Sequence, residues 1–381
     1  MESSSYADWL TEPLCVAIEE AAPVVSAGAD EADAARALPP STVQALSGAG
    51  LFTMLLPADV GGTPHRPEAA LAALSSIAFD DGAAGWCSMI STSTCLLAGF
   101  LDTEVARSTF GSATAVGGVF APNGVGTPTD DGLTVSGRWQ WGSGLAHCDW
   151  VVAGVTYDGD KRVTVVVPRS DVKAHDTWQT VGMRGTGSVD FEMNDVFVPP
   201  ERMIPQLGAT PKSSDSRVLL PNFSILGAGV AAVALGIAER AWSETVHLAN
   251  ERAPQFSQRL LAEQSSVQSV IARSRARLDS CGGELFRSVE AAHHIVEQGE
   301  KVPLAARVRI RGAAALVVEE SAAIGTEMFR LSGGAAVYDT SVLGRCLRNL
   351  SVIPQHIMVA PRLFETLGRH HLGLDFESSM I

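Results

Sequence analysis

The chain has 381 residues, of which 46% are hydrophobic and 18% charged, and its formal net charge at pH 7 is −14. A disordered chain is poor in apolar side chains and a duplex-binding protein needs a basic surface, so the composition excludes the first class and argues against nucleic acid as a partner. The same negative charge argues against binding to an anionic membrane surface.

The six cysteines are scattered over the whole chain, and none forms a CxxC pair. Such loose spacing is typical of reduced thiols rather than of a disulfide framework, so we expect a cytoplasmic protein. The N-terminus lacks the basic start and the apolar run of a signal peptide. The longest apolar stretch, 224–238, is shorter than the roughly 20 residues that cross a bilayer, and it predicts a buried helix instead.

The first region, 1–111, is rich in Ala, Leu and Glu at helical spacing, and it predicts an N-terminal helical domain. Ser41 has the residue type of an N-cap and opens a predicted helix that ends near Gly48. Two more helices are predicted over 69–78 and 83–100. The second is apolar nearly all round, which indicates that it is buried.

The second region, 112–210, changes to short apolar runs separated by turn signals. Residues 133–137 alternate with a period of two, and the runs 150–155 and 163–167 follow. A parallel sheet needs long crossover connections, for which this region has no room. We therefore predict a middle β-barrel domain of antiparallel strands.

The third region, 216–381, follows a polar linker at 212–216 and is helical again. Four long helical patterns are predicted, at 222–251, 259–298, 303–332 and 343–370. Gly333 and Gly334 close the third pattern, and Pro354 interrupts the fourth. Several helices of about 30 residues favour a C-terminal helical bundle.

Several common catalytic motifs are absent from the sequence. It contains no HExxH zinc motif, no GxxxxGK[ST] phosphate loop, no GxGxxG at a strand-to-helix turn and no GxSxG nucleophile elbow. The histidine pairs 293–294 and 370–371 are adjacent in sequence, so the two members of each pair point to different helix faces. We therefore expect no bound metal.

An unusual group of tryptophans stands in the β region. Trp139, Trp141 and Trp150 lie close together around the sequence Gly142-Ser143-Gly144. One interpretation is that they pack in the core of a small β domain. The other is that a flat aromatic cofactor lies against Trp141, where the Gly-Ser-Gly turn lets the backbone approach and the Ser143 hydroxyl bonds a ring nitrogen.

The order of the motifs resembles the acyl-CoA dehydrogenase fold superfamily along nearly the whole chain. The matching segments are 137–144 (GRWQWGSG) with Asp149-Trp150, 181–188 (VGMRGTGS) with 196–199, 235–238 with 251–252, and 331–334 (LSGG) with Arg345 and 348–349. The resemblance implies an α+β fold with an N-terminal helical domain, a middle antiparallel β domain and a C-terminal four-helix bundle.

Around the position of the expected catalytic base, the chain resembles one branch of this superfamily and differs from another. Many dehydrogenases of this superfamily carry a catalytic Glu about eight to ten residues after an Arg-Asp pair, because removing the proton next to a thioester needs a base. This chain has Arg348-Asn349 and no carboxylate up to Ala360. Where the family usually has an Asp after the Arg, Asn349 lacks the negative charge and the ion pair that it would form. Its Gln355-His356 pair and the segment 120–122 (FAP) instead resemble the two-component, group D flavin-dependent monooxygenases.

That branch implies an enzyme that takes reduced FMN or FAD from a separate reductase, forms a flavin C4a-hydroperoxide with O2 and hydroxylates a small aromatic or amine-bearing substrate. It implies His356 and Ser143 as catalytic residues. The flavin contacts that it implies are Phe120, Trp141, Ser143, Arg252, Gly333 and Gly334, and the substrate-pocket residues are Trp86 and Thr94. It also implies a homotetramer with flavin sites between subunits.

Thr94 stands where many phenol-type members of the branch carry a His, which puts a phenolic substrate in question. Two other functions stay open. One is an acyl-CoA dehydrogenase-like FAD oxidoreductase whose base is Glu239 or Glu244, both in the first bundle helix. The other is a flavin-free binding or structural protein of the same fold.

Overall fold

The chain runs from helices through a sheet and back to helices. A computed structural model describes residues 6–112, 114–206, 208–253 and 255–381. Its α-helices are α1 (Glu12–Ala35), α2 (Pro40–Gly48), α3 (Pro67–Asp80), α4 (Gly82–Cys95), α5 (Thr103–Ala106), α6 (Asn222–Glu251), α7 (Ser265–Glu297), α8 (Leu304–Leu331), α9 (Val342–Val352) and α10 (Leu363–His371). Its strands are β1 (Val116–Thr129), β2 (Gly132–Gly142), β3 (Trp150–Tyr157), β4 (Lys161–Pro168), β5 (Lys173–His175), β6 (Val189–Val198) and β7 (Met203–Pro205).

Within these residues the strands form one sheet in the order β5-β6-β2-β1-β3-β4-β7, with β5 and β7 at its two ends. The other neighbours are antiparallel, but β1 and β3 run parallel, with Val116 opposite Trp150 and Gly126 opposite Tyr157. The prediction of antiparallel strands is therefore wrong for this pair. β2 runs back beside β1, and residues 143–149 then lead into β3, so the return strand takes the place of a long crossover.

The sheet has a packed aromatic centre. Trp139 is fully buried, stacks on Phe191 with 5.1 Å between ring centroids, and donates from Nε1 to the carbonyl oxygen of Gly154 at 2.8 Å. The core-packing interpretation is thus confirmed for Trp139. Trp141 differs, because its side chain is 67% exposed.

Helix α6 is the centre of the helical part. It packs against α3 and α4 from the N-terminal region and against α7, α8 and α9 from the C-terminal region. By length and composition, α6 and the stretch Gly82–Phe100 could each cross a membrane, but 89% and 83% of their apolar windows are buried inside the protein. Both stretches therefore serve as core helices, and the prediction of a buried helix over 224–238 is confirmed within the 30 residues of α6.

Two predicted helix boundaries differ from the structure. Helix α2 begins at Pro40 with Pro39 at the N-cap position, so Ser41 is not the cap; a proline at the first helical position gives up no intrahelical hydrogen bond. The predicted helix over 343–370 is divided, because α9 ends at Val352 and a 3-10 turn that contains Pro354 follows it. This break takes the next residue, His356, out of the helix.

Gly236 lets α6 approach α3 closely. A Cβ at this position would lie 2.0 Å from the carbonyl oxygen of Ser75, a backbone atom that moves only if α3 moves. We expect Gly236→Ala to lower the free energy of unfolding by about 1–3 kcal/mol, the usual effect of overpacking, although alanine itself favours a helix. The measurement is urea unfolding followed by circular dichroism.

Gly368→Ala is the matched control. Gly368 lies within α10, and no atom lies within 4 Å of the position that its Cβ would take. We expect this variant to keep the wild-type urea midpoint or to raise it slightly. Equal midpoints for the two variants would contradict the close packing of α3 on α6.

Candidate active site

Three of the predicted site residues meet in the structure. Ser143 directly follows β2, is only 4% exposed, and accepts a hydrogen bond of 3.0 Å from Nε1 of Trp86 on α4. The Trp86 ring in turn meets the His356 ring edge to face, with 5.5 Å between centroids and 81° between planes. The sheet, α4 and the turn after α9 thus bring Ser143, Trp86 and His356 into one contiguous group, which we call the Ser143 cluster.

Buried hydroxyl groups extend this cluster away from Trp86. Ser143 Oγ lies 2.6 Å from Ser188 Oγ, which lies 2.6 Å from Thr186 Oγ1, and Thr186 Oγ1 donates to the carbonyl oxygen of Met183 at 2.8 Å. All three hydroxyl residues are less than 5% exposed. Because the carbonyl only accepts, the Thr186 proton is used there, and the arrangement that satisfies every group has Ser188 donating to Thr186 and Ser143 donating to Ser188.

Trp141 stands beside the cluster with an unusual backbone. Its φ of +67° places a bulky residue in the left-handed region, and its indole is 67% exposed. Backbone strain of this kind persists where the surroundings impose it, and it concentrates at ligand sites. Gly144, with φ of +76°, completes the turn, and its N–H donates to the carbonyl oxygen of Thr186 at 3.1 Å. An exposed aromatic side chain thus stands two residues before Ser143 in the same turn.

His356 is neutral at pH 7. Burial, and secondarily the nearby Arg311 cation, lower its pKa to about 4. The histidine that the resemblance implies as catalytic is therefore uncharged at neutral pH. The N–H of Met358 donates to His356 Nδ1 at 3.4 Å, which assigns the ring proton to Nε2. His356 therefore presents an N–H donor from Nε2.

Two further predicted residues lie near the cluster but have other contacts. Thr94 is 1% exposed and lies on α4 two turns beyond Trp86. Phe120 is half-buried in β1, and its carbonyl oxygen accepts from Gln206 Nε2 at 2.9 Å. Thr94 is thus a buried residue on the same helix as Trp86, whereas the Phe120 backbone is fixed by the sheet and by Gln206.

Arg252 and the glycines at 333–334 are distant from the cluster in a single chain. Arg252 is exposed and directly follows α6, about 38 Å along the helix axis from Gly227, which contacts Arg311. Gly333 follows α8, about 33 Å along that axis from Arg311. Neither glycine has an atom within 4 Å of its Cβ position. None of these predicted flavin contacts is among the described contacts of Ser143, Trp86 and His356.

The carboxylates of the first bundle helix are committed elsewhere. Glu239 is 5% exposed, and both of its oxygens accept from Arg275 on α7, at 2.8 and 2.6 Å. Glu244 lies 3.8 Å from Arg240, one turn away on α6. Since both carboxylates face arginines and neither is among the described partners of Ser143, Trp86 and His356, the geometry does not favour the alternative that depends on Glu239 or Glu244.

Asn349 also has a defined partner. Its Oδ1 accepts from the N–H of Met183 at 2.7 Å, and the side chain is buried. A neutral amide makes this bond without burying a charge. The sequence predicts that Asn349 makes no ion pair. In the structure it makes this hydrogen bond to the loop that carries Thr186 instead.

Sequence reasoning did not single out Thr186, Ser188 or Arg311. The two hydroxyl residues stand in a segment that resembles a family motif, but which hydroxyls touch is set by the fold. Arg311 had a readable signal, because it lies in the buried stripe of α8 between Val308 and Ala315, where a cation is out of place.

Known proteins match the chain over nearly its whole length. The family described as "Acyl-CoA dehydrogenase, C-terminal domain" matches residues 228–361. The indole-3-acetate monooxygenase of Pseudomonas putida is 28% identical over 350 residues, which cover 90% of this chain and 89% of that protein. The oxygenase subunit HsaA of a flavin-dependent monooxygenase from Mycobacterium tuberculosis is 26% identical over 385 residues, which cover 97% of this chain and 98% of that protein.

Solved structures agree with these sequence matches. The crystal structure of the HsaA monooxygenase from M. tuberculosis has a TM-score of 0.90 at 26% identity and covers 97% of this chain and 99% of that chain. The structure of XiaF from Streptomyces sp. in complex with FADH2 and glycerol has a TM-score of 0.89 at 24% identity and covers 96% of this chain. The fold is therefore the one found in these proteins.

His356→Gln is expected to make the free energy of unfolding less dependent on acid pH. The folded-state pKa of His356 is about 4 and its ordinary value is 6.5, so between these values the unfolded chain binds a proton that the folded chain does not. The stabilising contribution is fully present above pH 6.5 and is lost as pH falls toward 4. In this window the wild type should lose about 1.4 kcal/mol more per pH unit than the variant.

The measurement is urea unfolding at several pH values between 6.5 and 4. His371→Gln serves as control, because His371 is exposed at the end of α10. Parallel profiles for wild type and His356→Gln would show that His356 titrates normally in the folded protein.

Proposed function

We propose that the chain is a member of the acyl-CoA dehydrogenase superfamily and the oxygenase component of a two-component flavin-dependent monooxygenase. It takes reduced FMN or FAD from a separate reductase and uses O2 to hydroxylate a small aromatic or amine-bearing substrate. The observation that carries this function is the Ser143 cluster, since no carboxylate is among the described hydrogen-bond partners of Ser143, Trp86 and His356. Dehydrogenation of a thioester would need such a base.

The residues around Trp141 fit an isoalloxazine ring. The exposed indole offers an aromatic face for stacking, and the neighbouring turn of 142–144 offers a hydroxyl group with a free lone pair. A reduced flavin bound there supplies the electrons that activate O2, while the protein supplies position and shielding. Trp141 and Ser143 would hold the ring. Phe120, in the first strand of the same sheet, would be a further flavin contact.

The hydroxyl groups around Ser143 favour the reduced form of the cofactor. Ser143 accepts from Trp86 and donates to Ser188, so its remaining capacity is a lone pair that accepts one more hydrogen bond. Reduced isoalloxazine carries a hydrogen on N5, whereas oxidised isoalloxazine has only a lone pair there. Oxidised flavin would require the hydroxyls to reverse and the bond from Thr186 to Met183 to be lost.

His356 and Trp86 supply the substrate side of the site. The neutral His356 directs its Nε2–H as a donor, which suits an oxygen on the substrate or the oxygen atom being transferred. The Trp86 ring covers the space between His356 and Ser143 and excludes water from it. Thr94 contributes a hydroxyl where a base would act on a phenol, so an indole or amine is the better candidate substrate.

The assembly that we propose is a cytoplasmic homotetramer. Arg252 lies about 38 Å from Gly227 along α6, and Gly333 lies about 33 Å from Arg311 along α8. In a homotetramer they would contact the flavin phosphates of a second copy, for which an arginine is well suited. This arrangement gives each predicted flavin contact a role.

The activity test compares reduced with oxidised flavin. We expect the chain to bind reduced FMN or FAD in anaerobic titration and to hydroxylate an aromatic substrate once O2 is admitted. Oxidised flavin alone should give no product, because the protein contributes no electrons. A chain that binds flavin tightly in its oxidised form and bleaches it with an acyl-CoA would be a dehydrogenase instead.

Ser143→Ala refines this test. Without the acceptor at the flavin ring, we expect the ratio of hydroxylated product to released hydrogen peroxide to fall about threefold to tenfold, the worth of one hydrogen bond. Ser170→Ala, at an exposed serine that bonds Asp171, is the control and should leave the ratio unchanged. An unchanged ratio in Ser143→Ala would remove Ser143 from the flavin site.

Thr186→Val tests the direction of the buried hydroxyl groups. The variant keeps the shape of the side chain but removes the acceptor for Ser188, so the Ser143 proton is no longer held away from the flavin. We expect the ratio of dissociation constants for oxidised and reduced flavin to fall about threefold to tenfold. The ratio is measured by fluorescence titration with and without oxygen.

Thr186→Ser is the matched control for this variant. It retains the hydroxyl group and its bond to the Met183 carbonyl, so the wild-type preference for reduced flavin should return. A preference that is the same in Thr186→Val as in the wild type would mean that the hydroxyl direction does not select the redox state.

A further inference from the structure

Arg311 is a buried cation whose described contacts are all neutral. It lies in the middle of α8 and is 1% exposed. Its Nη1 donates to the carbonyl oxygen of Phe223 at 3.0 Å and contacts the sulfur of Met358 at 3.4 Å. Its Nε and Nη2 make no hydrogen bond to any residue that the structure describes. The edge of the guanidinium that binds carboxylates in bidentate fashion is therefore unused.

Other arginines that the fold covers are paired with acids. Arg217 is 4% exposed, and its Nη2 lies 2.6 Å from Asp215. Arg275 contacts both oxygens of Glu239. Removing a charge from water without a partner is strongly unfavourable, so a cation such as Arg311 is expected where a ligand supplies the opposite charge.

Arg311 lies at the substrate side of the Ser143 cluster, so a negatively charged ligand that pairs with it would lie there too. Met358, which covers the guanidinium, is two residues from His356 and donates its N–H to that ring. His356 packs on Trp86, and Trp86 bonds Ser143. A continuous series of contacts thus leads from Ser143 to the guanidinium, with the proposed flavin at one end and the cation at the other.

The residues that contact the Arg311 guanidinium would allow it to take a ligand. A Cβ on Gly227 of α6 would lie 2.5 Å from Nη1, so the glycine provides the space that the guanidinium occupies. Met358 lies outside the helices, and its unbranched thioether is a weak acceptor that adapts easily. Movement of the Met358 side chain would give a ligand access to the guanidinium, and a carboxylate at the Nε and Nη2 edge would add a charge-assisted contact to the weak one that the sulfur makes with Nη1.

We propose that Arg311 binds the carboxylate of the substrate, so that the substrate class is aromatic acids. This rests on the proposed monooxygenase function and specifies its substrate. The aromatic ring would lie against the contiguous pair of Trp86 and His356, and the acid group would reach the unused Nε and Nη2 edge of Arg311. The alternative is that Arg311 pairs with the negative charge of the reduced flavin. The experiment distinguishes these two ligands.

The test measures the binding of indole-3-acetate and its amide, indole-3-acetamide, to the full chain by calorimetry, with and without FAD. A second pair, 4-hydroxyphenylacetate and its amide, covers a different ring. We expect the acid of at least one pair to bind the wild type about tenfold to a hundredfold more tightly than its amide. Arg311→Met should abolish this preference, and Arg311→Lys should retain part of it.

Gly227→Ala is a second variant that keeps the charge but moves the guanidinium. We expect it to weaken acid binding while amide binding stays the same. Folding of Arg311→Met is checked by its urea midpoint, which should equal or exceed that of the wild type, because an apolar residue replaces an uncompensated buried charge.

The outcomes are distinguishable. Equal binding of acid and amide by the wild type, no binding of any of these compounds at millimolar concentration, or a preference that survives Arg311→Met would each overturn the proposal for Arg311. So would a loss of reduced-flavin affinity in Arg311→Met with the acid preference intact, which would assign the cation to the flavin. Failure of the wild type to bind reduced FMN or FAD would overturn the monooxygenase function instead.

Discussion

The hydrogen bond from the Trp86 indole to the Ser143 hydroxyl joins the helices to the sheet at the place where the chemistry is proposed. Both groups are buried, and leaving either one without a partner would cost about 1–3 kcal/mol. The bond therefore fixes the rotamer of Trp86, and with it the surface on which His356 packs. It also fixes how α4 lies on the end of β2, so the orientation of all three side chains is set before any ligand binds.

The buried polar groups near this bond fall into two kinds. The hydroxyls of Ser188 and Thr186 satisfy one another and end on a carbonyl, so they stabilise the fold and give Ser143 a defined acceptor side. Arg311 is not satisfied in this way, since its described contacts leave its charge uncompensated. A fold that pairs Arg217 and Arg275 with acids but leaves Arg311 without one keeps an electrostatic attraction available for a ligand. In the proposed enzyme, the satisfied polar groups would position the cofactor and the unsatisfied one would select the substrate.

The sequence predicted the parts of the structure that depend on local periodicity. The first bundle helix has the predicted bounds, and the break at Pro354 was expected, because both follow from apolar spacing and from proline chemistry. The parallel pairing of β1 with β3 was missed, since it depends on how β2 lies beside its neighbour and not on the strand sequences. Likewise, Ser143, Trp86 and His356 could be named from motifs, but their mutual contacts join residues far apart in the chain. The lowered pKa of His356 was unpredictable for the same reason, because burial and Arg311 cause it.

The length of α6 separates two groups of proposed ligand contacts. Its first turns lie beside Met358 and Arg311, and Arg252 follows its last residue, so one rigid helix separates the proposed substrate end from the proposed phosphate contact by about 38 Å. In the homotetramer that we propose, the Arg252 that meets an isoalloxazine on Trp141 belongs to another copy. Two large aromatic side chains are also open to water, since Trp141 is 67% exposed and Phe256, just beyond Arg252, is fully exposed. A closed symmetric assembly would cover both rings and shield the flavin from water, which an oxygen-activating site requires.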